Sequence, residues 1–209
     1  EADKKTPEII FVYGGDGSLL YSERQYPGTP KVALKGSATS KTHFYNESLL
    51  DRIITEIKHK KYSIQEYSKL TAEYKNSKLE ALNEIQVHNK HPFVAVRFNL
   101  YINGILKHEN IVGDGALVST PFGSTAYYHS TGGSAFDKGL GIGFNNPHER
   151  TGNYTIPENS TVTIEIKRGE ALLICDNDKK MIILKPEDKI TIKKSKNVAR
   201  FLRFPGLHE

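Results

Sequence analysis

The apolar positions of this chain change period along its length. Glu8 to Tyr13 is apolar and β-favouring and runs directly into Gly14-Gly15-Asp16-Gly17, which predicts a strand ending in a glycine turn. Ser18 to Gln25 then reads as a short helix and Lys31 to Leu34 as a second strand. Leu49, Leu50, Ile53, Ile54 and Ile57 share one face at helical spacing, so Glu47 to Lys60 is predicted to be an amphipathic helix. This β-α-β-α order predicts an open α/β unit.

Beyond residue 62 the period shortens. Tyr62 to Leu70 alternates weakly, and Leu79 to His88 and Phe93 to Ile102 read as strands. Asn103-Gly104 is a hairpin signal between Phe98 to Ile102 and Ile105 to Lys107, because both residue types tolerate the positive φ of a tight hairpin turn. Thr161 to Lys167 alternates cleanly, with Val162, Ile164 and Ile166 on one face. Ala171 to Cys175, Met181 to Leu184 and Lys189 to Ile192 are further short strands, with Asn177 and Asp178 in one of the turns between them. The expected class is therefore α+β in two domains. Residues 1–75 form an α/β domain with the glycine turn, 76–195 an antiparallel β-rich domain, and 196–209 a segment returning to the first domain. The linkers are short, so the halves are expected to pack closely around a cleft.

Composition narrows the function classes. The chain has 209 residues, 37% of them hydrophobic, and a mean hydropathy of −0.49. Its longest apolar runs, such as Ile9 to Val12, fall far short of the roughly 20 residues of a membrane helix. No leader pattern opens the chain, which begins with Glu1 rather than Met, so some preceding sequence is expected to be missing. Cys175 is the single cysteine and cannot form an internal disulfide, which points to a reduced, cytoplasmic compartment. The nominal glycosylation triplets at Asn46, Asn153 and Asn159 are read as chance matches. Net charge is +5. The lysines are dispersed, and the densest run, Lys193, Lys194 and Lys196, lacks interleaved aromatics. That fits a solvated surface better than a nucleic-acid footprint, although a positive field would attract an anionic nucleotide.

Two segments carry candidate chemistry. In Gly14-Gly15-Asp16-Gly17-Ser18 the glycines let backbone N–H groups form a nest for phosphate at a helix start. Asp16 would repel a phosphate, so its presence suggests a group that accepts a proton from an attacking hydroxyl, or orients it. The plainer role for Asp16 is a helix N-cap. The segment lacks a Walker A lysine and does not match G-x-G-x-x-G. The second segment runs from Gly113-Asp114-Gly115 through Ser119-Thr120-Pro121-Phe122-Gly123-Ser124-Thr125-Ala126-Tyr127-Tyr128, clustering hydroxyls beside glycine and proline, and Gly132-Gly133 ends the helix that follows. The eight histidines show no metal-ligand spacing and no metal site is expected, although His129 follows the tyrosine pair. The pattern alone does not separate Tyr127 from Tyr128.

The strand with Gly-Gly-Asp-Gly-Ser, then Leu82-Asn83-Glu84, then Asp114-Gly115 through Ser119 to Tyr127 and on to Ser130-Thr131-Gly132-Gly133 resembles NAD kinase in order and spacing. Pro147-His148 and Arg200 to Phe204 resemble later landmarks of that family. The resemblance implies a Rossmann-like N-terminal domain, here shortened, and a β-rich C-terminal domain with the dinucleotide between them. It also implies transfer of a phosphoryl group from ATP or polyphosphate to the 2′-hydroxyl of the adenosine ribose of NAD, giving NADP. Asp16 would activate or orient that hydroxyl, and Gly14, Gly15 and Gly17 would line the phosphates. Asn83, Glu84, Thr125, Ala126 and Tyr127 would hold the adenosine portion, with Ser130 nearby and Phe122 beside the adenine. Asp114 would face the nicotinamide half, and Asp176 stands where the family has a late aspartate. Mg²⁺ would arrive with ATP. A homodimer or homotetramer is implied, and no nucleic-acid or membrane partner.

This chain departs from the family at Ser18, at Phe122 and at Asp176-Asn177, and Leu34 to Thr39 does not show the family's usual loop. The strand and helix that usually precede the glycine turn are absent. Two other readings stand beside the kinase: an NAD(P)-binding module with weakened transfer, and a lipid kinase of the diacylglycerol kinase type that shares only the glycine turn.

Overall fold

The computed structural model describes residues 7–36 and 44–207 of the chain. Ser37 to Thr39 of the unusual loop, and His43 and His208, lie outside the described residues. The first elements are β1 (Ile10–Gly14), α1 (Asp16–Gln25), β2 (Lys31–Lys35), β3 (Tyr45–Asn46), α2 (Leu50–Lys58), β4 (Ser63–Tyr74), β5 (Ser77–Ala81) and β6 (Glu84–Asn89). There follow β7 (Val96–Ile102), β8 (Ile105–Gly113), β9 (Gly115–Ser119), α3 (Tyr127–Ser130), β10 (Leu140–Asn145) and β11 (Tyr154–Ile156). The last are β12 (Thr161–Arg168), β13 (Ala171–Cys175), β14 (Ile182–Leu184) and β15 (Lys189–Arg203). This is a mixed, strand-rich α/β chain. It divides into two compact units, residues 1–67 with 197–209, and residues 68–196.

In the first unit β1 lies parallel to β2, with Ile10 opposite Lys31 and Gly14 opposite Lys35. β2 is also parallel to β3, and Phe201 of β15 pairs with Lys31. Val32, Leu34, Tyr45, Ile53, Leu202, Phe204 and Leu207 form the core. α2 contributes Ile53 from its apolar face, with Leu49 and Ile57 packed alongside. The helix predicted over residues 47–60 opens as a 3-10 turn, Glu47–Leu49, because the Asn46 side chain accepts from the Ser48 N–H at 3.0 Å. The Tyr45 hydroxyl in turn accepts from the Phe204 N–H at 2.9 Å.

A buried ion pair ties α1 to β2. Lys31 is 0% exposed and Glu23 2%. The Lys31 ammonium donates to Glu23 Oε2 at 2.6 Å and to the carbonyls of Tyr26 and Thr29, both at 2.8 Å. The other Glu23 oxygen accepts from the Gly28 N–H at 3.2 Å. Charges this deep need partners on every side, and the connection over residues 26–30 supplies them. Nothing in the apolar pattern distinguishes Lys31 from a surface lysine.

The second unit has one core, filled from the inward faces of antiparallel strands such as Phe98, Leu100, Val118, Ile142, Ile164 and Leu173. β12 pairs with both β7 and β15, and Val162, Ile164 and Ile166 are all 0% exposed, as the alternation predicts. Asn103 at φ 52° and Gly104 at φ 77° make the expected hairpin turn. A second sheet runs in the order β11-β10-β9-β6-β13-β14.

Several strands differ from the sequence expectation. Leu79 to His88 is two strands interrupted at Leu82 and Asn83, and β7 begins at Val96 rather than Phe93. β10 has no counterpart among the expected strands; glycines alternate through Leu140-Gly141-Ile142-Gly143-Phe144, and glycine is depleted in strands. They are small because a Cβ on Gly141 would stand 2.6 Å from the Phe136 ring and one on Gly143 2.8 Å from Thr131 Oγ1. β15 continues well past Ile192, carrying the lysine run. There Lys193 pairs with Glu73 at 2.9 Å and Lys194 with Glu158 at 2.8 Å.

Replacing Glu23 with alanine strands the Lys31 ammonium in the interior. Urea unfolding should show a loss of about 3–5 kcal/mol. A loss below about 1 kcal/mol, the range of an exposed pair, would mean the pair is not buried in solution.

Candidate functional site

The glycine turn closes where β1 meets α1. Gly14 lies at φ 143°, and its carbonyl accepts from the Gly36 N–H at 3.0 Å. A Cβ on Gly36 would stand 2.7 Å from Gly14 Cα, so the ends of β1 and β2 meet at a distance only glycine allows. Gly15 is the extended N-cap of α1 and has open space where a Cβ would project. Asp16 is thus the first residue of the helix rather than its cap, which is Gly15. The positive end of the helix dipole favours its carboxylate there. Asp16 is half-buried, Gly17 and Ser18 are exposed, and Leu19 and Leu20 anchor the helix in the interior.

The second candidate segment is built differently from its sequence reading. The hydroxyls of Ser119, Thr120, Ser124 and Thr125 do not form one cluster. Ser119 and Thr120 are both 0% exposed and serve the backbone. Thr120 Oγ1 donates to the Leu82 carbonyl at 2.7 Å and accepts from the Gly123 N–H at 3.1 Å, while the Thr120 N–H donates to the Asn83 carbonyl at 2.9 Å. Gly123 rides directly over Asn83, where a Cβ would stand 2.4 Å from the carbonyl oxygen. Ser124 is buried and Thr125 exposed.

The facing side of this junction is held by Asp176. Its carboxylate accepts from the N–H groups of Leu82 at 2.7 Å, Asn83 at 2.8 Å and Glu84 at 3.1 Å. Its own N–H donates to the Glu84 carbonyl at 3.0 Å, and its φ of 49° is a left-handed conformation that aspartate tolerates. These bonds explain the break between β5 and β6: three N–H groups that would have joined a ladder turn toward one carboxylate. Asp176, expected beside the ligand, spends its carboxylate on the main chain.

What the junction presents is polar and unsatisfied. Asn83 and Glu84 are each 5% exposed, and Asn83 Oδ1 and Glu84 Oε2 are buried without a hydrogen-bond partner. Such groups are costly unless something pairs with them. Burial, and then the negative Asp176 beside it, push the Glu84 carboxyl up to about 8. Burial likewise raises Asp176 to about 6, against the pull of its three N–H donors. Both acids are thus drawn toward the protonated form, Glu84 further than Asp176.

Tyr127 and Tyr128, inseparable by pattern, take different roles. Tyr128 is 2% exposed, with its ring where a Gly133 Cβ would lie and edge-on to Phe136 at 5.3 Å. Tyr127 is half-buried, and its phenol is raised first by burial and then by the charges of Asp114 and Glu84. That places Tyr127 among the same acids. Phe122 and Ala126 are half-buried and Ser130 is exposed. The His129 ring is bonded to the Gly133 carbonyl at 3.0 Å. Among the described residues no group of three or more His, Cys, Asp or Glu could hold a metal ion. Sequence reasoning passed over Asn89, Asn145 and Asn146, which gather around Asp114; side-chain amides leave no periodic signal.

Comparison with known proteins gives this arrangement a context. Residues 82–204 match the profile of the ATP-NAD kinase C-terminal domain. The chain is 28% identical over 214 residues to an NAD kinase of Sulfurisphaera tokodaii, a match covering 97% of this chain and 84% of that protein. It is 30% identical over 204 residues to an NAD kinase of Thermoplasma acidophilum, covering 94% of this chain and 74% of the other. The crystal structure of yeast NADH kinase complexed with NADH shares the fold at a TM-score of 0.86 and 19% identity, over 94% of this chain and 61% of that one.

Glu84 should make stability pH-dependent. Its carboxyl holds a proton in the native state between the unfolded value of 4.5 and about 8, so native protein binds more protons than unfolded chain across that window. Its contribution to stability is then full below 4.5 and is lost as pH rises through about 8. Asp176 acts in the same direction but only up to about 6. Melting temperatures of the wild type should decline between about pH 6 and 8, and those of Glu84→Gln should stay nearly level. Parallel declines in both proteins would refute the assignment.

Proposed function

The chain belongs to the NAD kinase family, enzymes that phosphorylate NAD, and on that premise we propose that Asp16 handles the acceptor hydroxyl. The acceptor is the 2′-hydroxyl of the adenosine ribose of NAD, and the donor is the terminal phosphoryl group of ATP. Asp16 orients the hydroxyl and takes its proton as the oxygen bonds to phosphorus and the bond to the leaving ADP breaks. Gly14, Gly15 and Gly17 line the phosphates, where the positive end of the α1 dipole favours anionic oxygens. The product is NADP.

The observation that carries this reading is the pair of buried, unpartnered oxygens on Asn83 and Glu84. Asn83 Oδ1 accepts from a ligand donor, and the protonated Glu84 carboxyl can donate as well as accept, which suits ribose hydroxyls or an adenine edge. Tyr127 offers a flat face, and Phe122, Thr125, Ala126 and Ser130 border the adenosine portion. Asp176 contributes by fixing the main chain under Asn83 and Glu84 rather than by touching ligand. Asp114 takes the nicotinamide half.

Mg²⁺ would enter on the phosphates of the donor. There it would offset charge on those phosphates, while the protein positions the reacting groups. Polyphosphate as a second donor, a homodimer or homotetramer, and a cytoplasmic setting belong to the same reading. No helix of the described residues is long and apolar enough to cross a membrane. The comparisons do not favour the weakened binding module or the lipid kinase.

Purified protein with NAD, ATP and Mg²⁺ should form NADP, and Asp16→Asn should lower kcat by about a hundredfold or more. The affinity for NAD by calorimetry should stay within about twofold, since the amide keeps the size and one acceptor of the carboxylate. Wild type that makes no NADP would remove the reaction from this chain. A fully active Asp16→Asn would remove Asp16 from its role.

A further inference from the structure

Asp114 is held through both its side chain and its main chain. Its Oδ2 accepts from Asn146 Nδ2 at 2.7 Å and its Oδ1 from Asn89 Nδ2 at 3.2 Å. Its main chain is pinned too: the Asp114 carbonyl accepts from the Asn89 N–H at 2.6 Å, and the Asp114 N–H donates to the Asn145 carbonyl at 2.9 Å. Gly113 makes this convergence possible, because a Cβ there would stand 2.9 Å from the carbonyl oxygens of both Asn145 and Asn146. Asn146 lies at φ 42°, a left-handed conformation that asparagine tolerates better than most residues. In the same neighbourhood Asn89 Oδ1 and both side-chain atoms of the 5%-exposed Asn145 are buried without partners.

We propose that Asn146 is a positioning residue that fixes the Asp114 carboxylate as the acceptor for the carboxamide-bearing half of the dinucleotide. An ionised carboxylate has about four acceptor positions. The asparagine amides occupy one on each oxygen, which locks the rotation of the group and leaves the remaining positions facing a donor. A carboxylate only accepts, so it selects a ligand group that carries N–H, as a primary amide does. Asn146 serves better than a lysine would, because a neutral donor orients the carboxylate without cancelling its charge. Asn89 has other duties, donating also to the carbonyls of His91 and Val94, both at 3.1 Å. Asn146 is exposed and makes no other side-chain bond given by the structure, so its amide is free to serve Asp114 alone. The inference rests on the reading that NAD is the acceptor substrate.

The test separates the two halves of the ligand. Asn146→Gly keeps the left-handed backbone at no steric cost and removes only the amide. With ATP saturating, its KM for NAD should rise about tenfold while kcat stays within about twofold, the size of one lost charge-assisted hydrogen bond. Its calorimetric Kd for NAD should rise by the same factor, while its calorimetric Kd for ADP-ribose, which keeps the adenosine half and lacks the nicotinamide ring, should match that of the wild type. Asn146→Asp, which sets a second carboxylate against Asp114, should weaken NAD further and again spare ADP-ribose. Equal weakening of NAD and ADP-ribose would assign Asn146 a merely structural role and overturn the proposal, as would unchanged NAD affinity in both variants. Because the NAD and ADP-ribose affinities are measured without turnover, the positioning role is decided even if the wild type forms no NADP, an outcome that would instead sink the phosphoryl-transfer reading.

Discussion

One carboxylate receiving three successive main-chain N–H groups organises the β-rich unit. Asp176 takes the N–H groups of Leu82, Asn83 and Glu84, and thereby ends one strand and starts another. Without that acceptor these donors would have to continue a ladder, and the Asn83 and Glu84 side chains would alternate across a sheet instead of standing at its end. Thr120 secures two of these residues from the other direction through the carbonyls of Leu82 and Asn83. Main-chain groups are thus satisfied on both sides of the junction, and the side-chain oxygens of Asn83 and Glu84 are what is left over. The need for a partner is transferred from the backbone, where the fold meets it, to the side chains, where a ligand can.

The same logic accounts for the charges. Three N–H donors draw Asp176 toward its ionised form against the larger effect of burial, and its charge adds to burial in raising the Glu84 carboxyl. Of two adjacent acids, one serves the architecture through its N–H donors and the other keeps a buried oxygen without a partner. In the first unit Glu23 and Lys31 show the contrasting solution. There both charges are buried and both are fully paired, which makes a rigid support for α1 and nothing that a ligand could use.

Glycines work at the points of closest approach rather than as generic loop residues. Gly14 and Gly36 bring two strand ends together, Gly123 lies on Asn83, and Gly113 lets residues 145–147 close on Asp114. Each is a place where any side chain would push a functional group away from its position. Alternating glycines in β10 do the same for the Tyr128 ring and its neighbours, which is why that strand was hidden from a reading based on propensity.

Local regularities made much of this protein legible in its sequence. The strand entering Gly14-Gly15-Asp16-Gly17, the Asn103-Gly104 hairpin and the alternation of Val162, Ile164 and Ile166 depend on neighbours a few residues away, so period and turn chemistry suffice to see them. The candidate residues Asp16, Asn83, Glu84, Asp114 and Tyr127 were likewise visible as residues. Their division of labour was not. Whether Asp176 meets a ligand or a peptide N–H depends on a segment 94 residues earlier in the chain. Whether Tyr127 or Tyr128 fills the core depends on the bare face of Gly133, and whether Lys31 is solvated depends on where Glu23 lands. Such pairings are fixed by packing and by the cost of leaving a buried polar group alone, and both arise only once distant parts of the chain have come together.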